Sequence, residues 1–179
     1  FNWKIMWGAA SAVLLWTLWY GWYTNGGDIS YGRLNKIPFE EIKWYHAMAP
    51  GILLILTRIG VPVSTSFLVL SAFASTFVLE KMLVKSMMGY AVAAVAAYAI
   101  WIVVSKILDE AKPVKEEHKS YWRVGQWVTT GFLWFTWLSH DMANIAVFLP
   151  REIPYDLMIM ISVVFIAGLA YMFREGGGK

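Results

Sequence analysis

From Ser86 to Ser105 the chain carries no charged side chain. That stretch matches the roughly 20 apolar residues a helix needs to cross about 30 Å of bilayer hydrocarbon. In lipid every backbone N–H and C=O must find a partner inside the protein, so a spanning stretch this rich in Ala and Val reads as a helix. The rest of the chain agrees. Of its 179 residues 59% are hydrophobic and 15% charged, against roughly 45–50% apolar residues in an ordinary soluble domain. The charges fall in short clusters between long apolar windows, the hydropathy pattern of several spanning segments. The sequence therefore predicts an all-α fold, a polytopic transmembrane helix bundle embedded in a lipid bilayer. Its expected location is a bacterial inner membrane or a plasma membrane, as a multi-pass protein.

The net charge is +3, and Lys and Arg flank apolar segments instead of lining a groove, so nucleic acid gains no support as a partner. Cysteine is absent, which removes disulfides and thiolate metal sites. No phosphate-binding loop or nucleophile elbow occurs, so an enzyme has nothing to rest on. The chain starts at Phe1 and ends in Gly-Gly-Gly-Lys, as a processed chain or a piece of a longer one would.

In chain order, residues 3–23 predict a first helix whose far end is crowded with Trp16, Trp19, Tyr20, Trp22 and Tyr23, an aromatic belt at the headgroups. Asn25 to Asp28 end it, and Ile29 to Lys43 form a mixed-charge surface loop. Residues 44–79 are too long for one simple span and are divided near Gly60. They make either one long broken span or two half-length segments, 46–59 and 67–79, folded as a re-entrant hairpin. Lys and Arg divide nearly evenly between the two sides under the hairpin and unevenly under the single span, so the positive-inside rule does not choose it. The hairpin is preferred because each half spans only part of the hydrocarbon and because of the resemblance below. A third helix, 86–107, carries Ala91, Ala93, Ala94, Ala96, Ala97 and Ala99, small residues that suit close packing inside a bundle. Residues 106–123 form a polar cytoplasmic linker. A broken helix, 124–149, interrupted at 139–144, and a last helix, 157–173, complete the chain. The organisation is thus a first membrane group over 1–105, the linker, and a second group over 124–179.

Two places invite chemistry. Asp141 is the one acid within an otherwise apolar segment, and intramembrane carboxylates mark ion or proton paths. Asn144, three residues on, shares its helical face, so a carboxylate and an amide carbonyl can converge on a hard cation that takes oxygen ligands. The alternative makes Asp141 a cap where a helix restarts. His140 is a proton partner for Asp141 or a structural histidine. The second place is the break Arg58-Ile59-Gly60-Val61-Pro62-Val63-Ser64-Thr65-Ser66. Irregular backbone at membrane depth survives only where protein buries it or where it lines a cavity. A helix beginning after Pro62 offers unpaired N–H groups and three hydroxyls, Ser64, Thr65 and Ser66, as an anion site; the alternative is a simple N-cap. Arg58 pairs with an anion or with Asp141, or extends to the nearer surface. His46, His118 and His140 offer no i, i+4 pair, so haem or zinc within one segment is not supported.

At these two places the sequence resembles the inorganic phosphate transporter family, the sodium- or proton-coupled phosphate permeases. Their repeats carry an Asn-Asp-x-Ala-Asn element and a Gly-x-Pro-x-Ser-Thr-Thr element. Here these read His140-Asp141-Met142-Ala143-Asn144 and Gly60-Val61-Pro62-Val63-Ser64-Thr65-Ser66. The resemblance implies cation binding, sodium or proton, at Asp141 and Asn144. It implies phosphate binding at Ser64, Thr65 and Ser66, in broken or re-entrant helices of an inverted repeat of which this chain is about half. His140 replaces the leading Asn, Ser66 the last Thr, Phe67 the following His, and Arg58 stands where the family is apolar.

Two functions are therefore expected. The first is a transporter of inorganic phosphate or a similar oxyanion coupled to a cation, with no cofactor besides that ion, acting as a homo-oligomer or within a larger complex. The second is a degenerate relative serving as a non-transporting subunit of a membrane assembly.

Overall fold

The computed structural model describes residues 2–61, 63–110 and 118–176. Among them every regular element is helical: α1 Trp3–Thr24, α2 Met48–Arg58, α3 Thr65–Ser71, α4 Thr76–Glu110, α5 Lys119–Ala146 and α6 Tyr155–Arg174, with short 3-10 turns at Arg33–Lys36 and Trp44–Ala47. The chain divides into two compact units, Phe1–Phe73 with Val128–Lys179, and Ala74–Trp127. The division falls within α5.

In the larger unit α1 packs most extensively on α6. The two run antiparallel, since the Trp7 indole donates to the Ile166 carbonyl at 3.0 Å near one end while Trp19 and Trp22 meet the Tyr155 ring at the other. Leu14, Thr17 and Leu18 of α1, Met142, Ala143 and Ala146 of α5, and Met158 and Ile161 of α6 are buried. Two buried hydroxyls on these helices are satisfied within their own turn, Thr17 Oγ1 on the Val13 carbonyl and Ser162 Oγ on the Met158 carbonyl, whereas Ser11 Oγ of α1 is buried without a partner. Such back-bonding lets a hydroxyl sit on a buried helix face.

The segment between α1 and α2 is an ordered strap and not a solvated loop. Asp28 accepts from the Ser30 and Gly32 amides, at 2.7 and 3.1 Å. Tyr31 adopts a φ of 56°, unusual for a bulky residue, and its phenol donates to the Thr17 carbonyl of α1. Ile29, Ser30, Leu34 and Ile37 are buried. Arg151, in the turn before α6, donates to the carbonyl of Ile37 at 2.9 Å and ties down the far end.

The expected break after α2 is present and has a local cause. Gly60 takes a φ of 78°, its amide donates to the Thr57 carbonyl, and the Val61 amide donates to Leu56. This is a helix stop built on a left-handed residue, which a side chain at Gly60 would oppose. Pro62 lies outside the described residues. At about 1.5 Å per residue α2 and α3 reach about 16 and 10 Å, and the two are in contact.

Three expectations are corrected. The second half of the hairpin ends at Ser71, and Thr76 onward belongs to α4, which is one helix of 35 residues where 86–107 was expected. The Ala-rich face of α4 is not packed: residues 89–104 are exposed, because the smaller unit holds only α4 and the first turns of α5. Finally, α5 passes through Ser139–Asn144 without interruption. Ser139 Oγ donates back to the Thr136 carbonyl at 2.8 Å, so the polar run is accommodated in the helix instead of breaking it. Of the expected linker, 106–110 and 119–123 are helical and 111–117 lie outside the described residues. Two helices, α4 over Thr76–Leu108 and α6, are long and apolar enough to cross a membrane.

Candidate functional site

Within the larger unit the start of α3 faces the last turns of α5 across an open cleft of about 390 Å³ lined by Ser64, Thr65, Ser66, Thr136, Trp137, His140 and Asp141. Each wall follows from local structure. Ser64 caps α3, its Oγ accepting from the Phe67 amide at 3.3 Å, so the N-cap alternative describes what Ser64 does and the cap also leaves it in the cleft. Thr65 and Ser66 open the helix and are half-buried. On α5 the lining residues 136, 137, 140 and 141 recur at helical spacing on one face.

Asp141 is half-buried in mid-helix and caps nothing. Asn144, one turn on, is buried and points its Nδ2 at the Asp141 carboxylate, Oδ1 at 3.4 Å. The other end of that amide, Oδ1, is buried and has no hydrogen-bond partner. A buried, unsatisfied carbonyl oxygen beside a carboxylate fits a monovalent cation. A half-turn of the amide would turn its oxygen towards the carboxylate, giving two oxygen donors of the kind a hard cation takes. Among the described residues no group of three His, Cys, Asp or Glu converges.

Of the residues expected to bind, Ser64, Thr65, Ser66, His140 and Asp141 meet at this cleft, and Asn144 lies behind Asp141. Arg58 does not join them: it is exposed in the last turn of α2 and is not among the lining residues. The guanidinium that does reach the α5 wall is Arg33 of the strap. Its Nη1 donates to the His140 carbonyl at 3.4 Å and its Nη2 lies 3.5 Å from His140 Nε2. Burial draws the Arg33 guanidinium below its ordinary range, and Asp141 opposes that shift. Sequence reasoning passed over Arg33 because it sits in a run of mixed charge that looks solvated. The signal that finds it is the neighbouring Asp28, whose spacing to Ser30 and Gly32 predicts a carboxylate-bonded turn.

No protein-family model, curated protein or solved structure matches this chain.

Proposed function

We propose that this chain builds a multi-pass membrane transporter carrying inorganic phosphate or a similar oxyanion together with a cation, sodium or a proton. The observation that carries this reading is the cleft itself. Hydroxyls at 64–66 and a carboxylate at 141, far apart in sequence, line one space. In the proposed cycle Asp141 and the Asn144 carbonyl hold the cation. Ser64, Thr65 and Ser66 hold the oxyanion through their hydroxyls, and His140 exchanges a proton with Asp141. Holding the cation cancels the Asp141 charge, which otherwise repels an anion in the same cleft, and this couples the two ions. The irregular link between α2 and α3 allows the α3 wall to move relative to α5, as broken helices do in transporters. The test is cation-dependent uptake of labelled phosphate into proteoliposomes. Uptake abolished by Asp141→Asn and by Ser64→Ala with Thr65→Ala supports the reading; the absence of any cation-driven uptake of phosphate or another oxyanion by the wild type sinks it.

A second reading has its own observation. Over residues 89–104 α4 is apolar and exposed, a surface that lipid or another chain would cover. In this reading the chain is a non-transporting subunit of a larger membrane assembly or a homo-oligomer. A native mass larger than the monomer, combined with no uptake, distinguishes it.

A further inference from the structure

Among the described residues lining the cleft, Asp141 is the one acid, and no Lys or Arg stands beside it. An oxyanion entering there meets hydroxyls that bind it and a carboxylate that repels it. Neutral hydroxyl donors hold an anion weakly compared with charge-assisted partners, which are roughly twice as strong. Even with a monovalent cation on Asp141, the lining only reaches neutrality. A permanent positive charge would strengthen the hold on an anion, and the described lining includes no Lys or Arg.

The strap supplies it. Arg33 stands over the α5 wall, with Nη1 3.4 Å from the His140 carbonyl and Nη2 3.5 Å from His140 Nε2. Its position is set by its neighbours. Ser30 and Leu34 on either side are buried, Asp28 holds the Ser30 and Gly32 amides, Tyr31 is bonded to α1, and Arg151 holds Ile37. The side chain is partly open to solvent and its two contacts with His140 are long, at 3.4 and 3.5 Å, so it can leave them while its root stays fixed. A guanidinium presents a planar fork of donors that matches phosphate-like oxyanions two bonds at a time, which an ammonium does not.

We propose that Arg33 is the anion-binding cation of the cleft, delivered from outside the spanning helices by the 28–37 strap. When the cleft holds no anion it rests against His140 and faces Asp141; when an oxyanion enters, it turns onto it and away from the carboxylate. This inference rests on the oxyanion reading of the cleft and adds to it the residue that gives the site its charge. The strap also carries Lys36 in the same 3-10 turn as Arg33, a basic residue that the cleft does not use.

The experiment measures binding of inorganic phosphate by calorimetry to the full chain in lipid nanodiscs with the coupling cation present. The variants are Arg33→Gln, Arg33→Lys and Lys36→Gln, and melting temperatures confirm folding. Arg33→Gln weakens binding about tenfold, the worth of one charge-assisted bond, Arg33→Lys falls between, and Lys36→Gln binds as wild type. Equal binding by wild type and Arg33→Gln overturns the assignment while leaving the oxyanion reading intact. Equal weakening by Lys36→Gln also overturns it, since the effect is then one of net charge. A wild type that binds no phosphate removes both together.

Discussion

The indole Nε1 of Trp22 donates to the carbonyl oxygen of Ile153 at 2.7 Å, and the Ile153 amide in turn donates to the Gly27 carbonyl at 3.0 Å. The end of α1 and the start of α6 are thereby locked by two bonds of opposite sense. Within lipid, helices gain little from the hydrophobic effect against one another and associate through packing and such bonds. Trp22→Phe keeps the ring contacts with Trp19 and Tyr155 but removes the donor. We expect a loss of about 1 kcal/mol, read as a lowered melting temperature in detergent; an unchanged melting temperature contradicts this role.

Gly21 lies under the Tyr31 ring, where an added Cβ would stand 2.7 Å from Cε2. Gly21→Ala must displace the Tyr31 ring that holds the strap on α1. Destabilisation by Gly21→Ala should be largely absent in a Tyr31→Ala background, because the two changes act on one contact and do not add. Additive effects in the double-mutant cycle would show that the close approach is inconsequential.

Tyr31 also sets a pH dependence. Burial, aided by Tyr20, raises its phenol above the ordinary value of 10.0. A raised value in the folded state means that the folded protein keeps its proton longer than the unfolded chain. The stabilisation is therefore fully present below pH 10 and is lost as pH climbs through the folded value. Melting curves between pH 9 and pH 12, taken with Tyr31→Phe alongside, should show a steeper alkaline decline in the wild type. Parallel declines refute it.

Arg151 gathers the strap by donating to Ile37 at 2.9 Å and, more weakly, to Pro38 at 3.4 Å. Arg151→Ala leaves the Ile37 carbonyl without this donor and frees residues 37–43. Limited proteolysis should then cut there several-fold faster, with α1 and α6 intact. Protection equal to wild type would mean that buried Leu34 and Ile37 suffice alone.

Asn144→Asp places a second carboxylate beside Asp141. Two carboxylates suit a divalent oxygen-seeking cation better than a monovalent one. The expected outcome is a switch in cation dependence of uptake or binding towards calcium, measured by cation substitution. Retained monovalent dependence would separate Asn144 from the cation.

Much of the helical frame was legible because its punctuation is chemical. Asn25 to Asp28, Gly60, and Pro150 and Pro154 end or bound helices for reasons of backbone geometry, and the first and last helices fall within two residues of expectation. The polar run at 139–144 misled because composition does not reveal that Ser139 and Asn144 find partners one turn back within the helix. Six alanines in α4 suggested an interior helix, yet small size permits close packing without requiring it. In the site, the hydroxyls and Asp141 stood out against apolar surroundings. Arg33 did not, because the Asp28 turn predicts a fixed root for it but not that the strap folds back onto the His140 turn of α5.

At about 1.5 Å per residue the 35 residues of α4 extend for some 52 Å, well beyond a hydrocarbon slab of about 30 Å. Tilting cannot absorb the excess, since it would demand a lean steeper than the roughly 40° reached by membrane helices. A bilayer around the charge-free stretch would leave the turns bearing Glu80, Lys81 and Lys85 in water as a stalk. Thinner or thicker lipid around that helix would slide the waterline along the stalk.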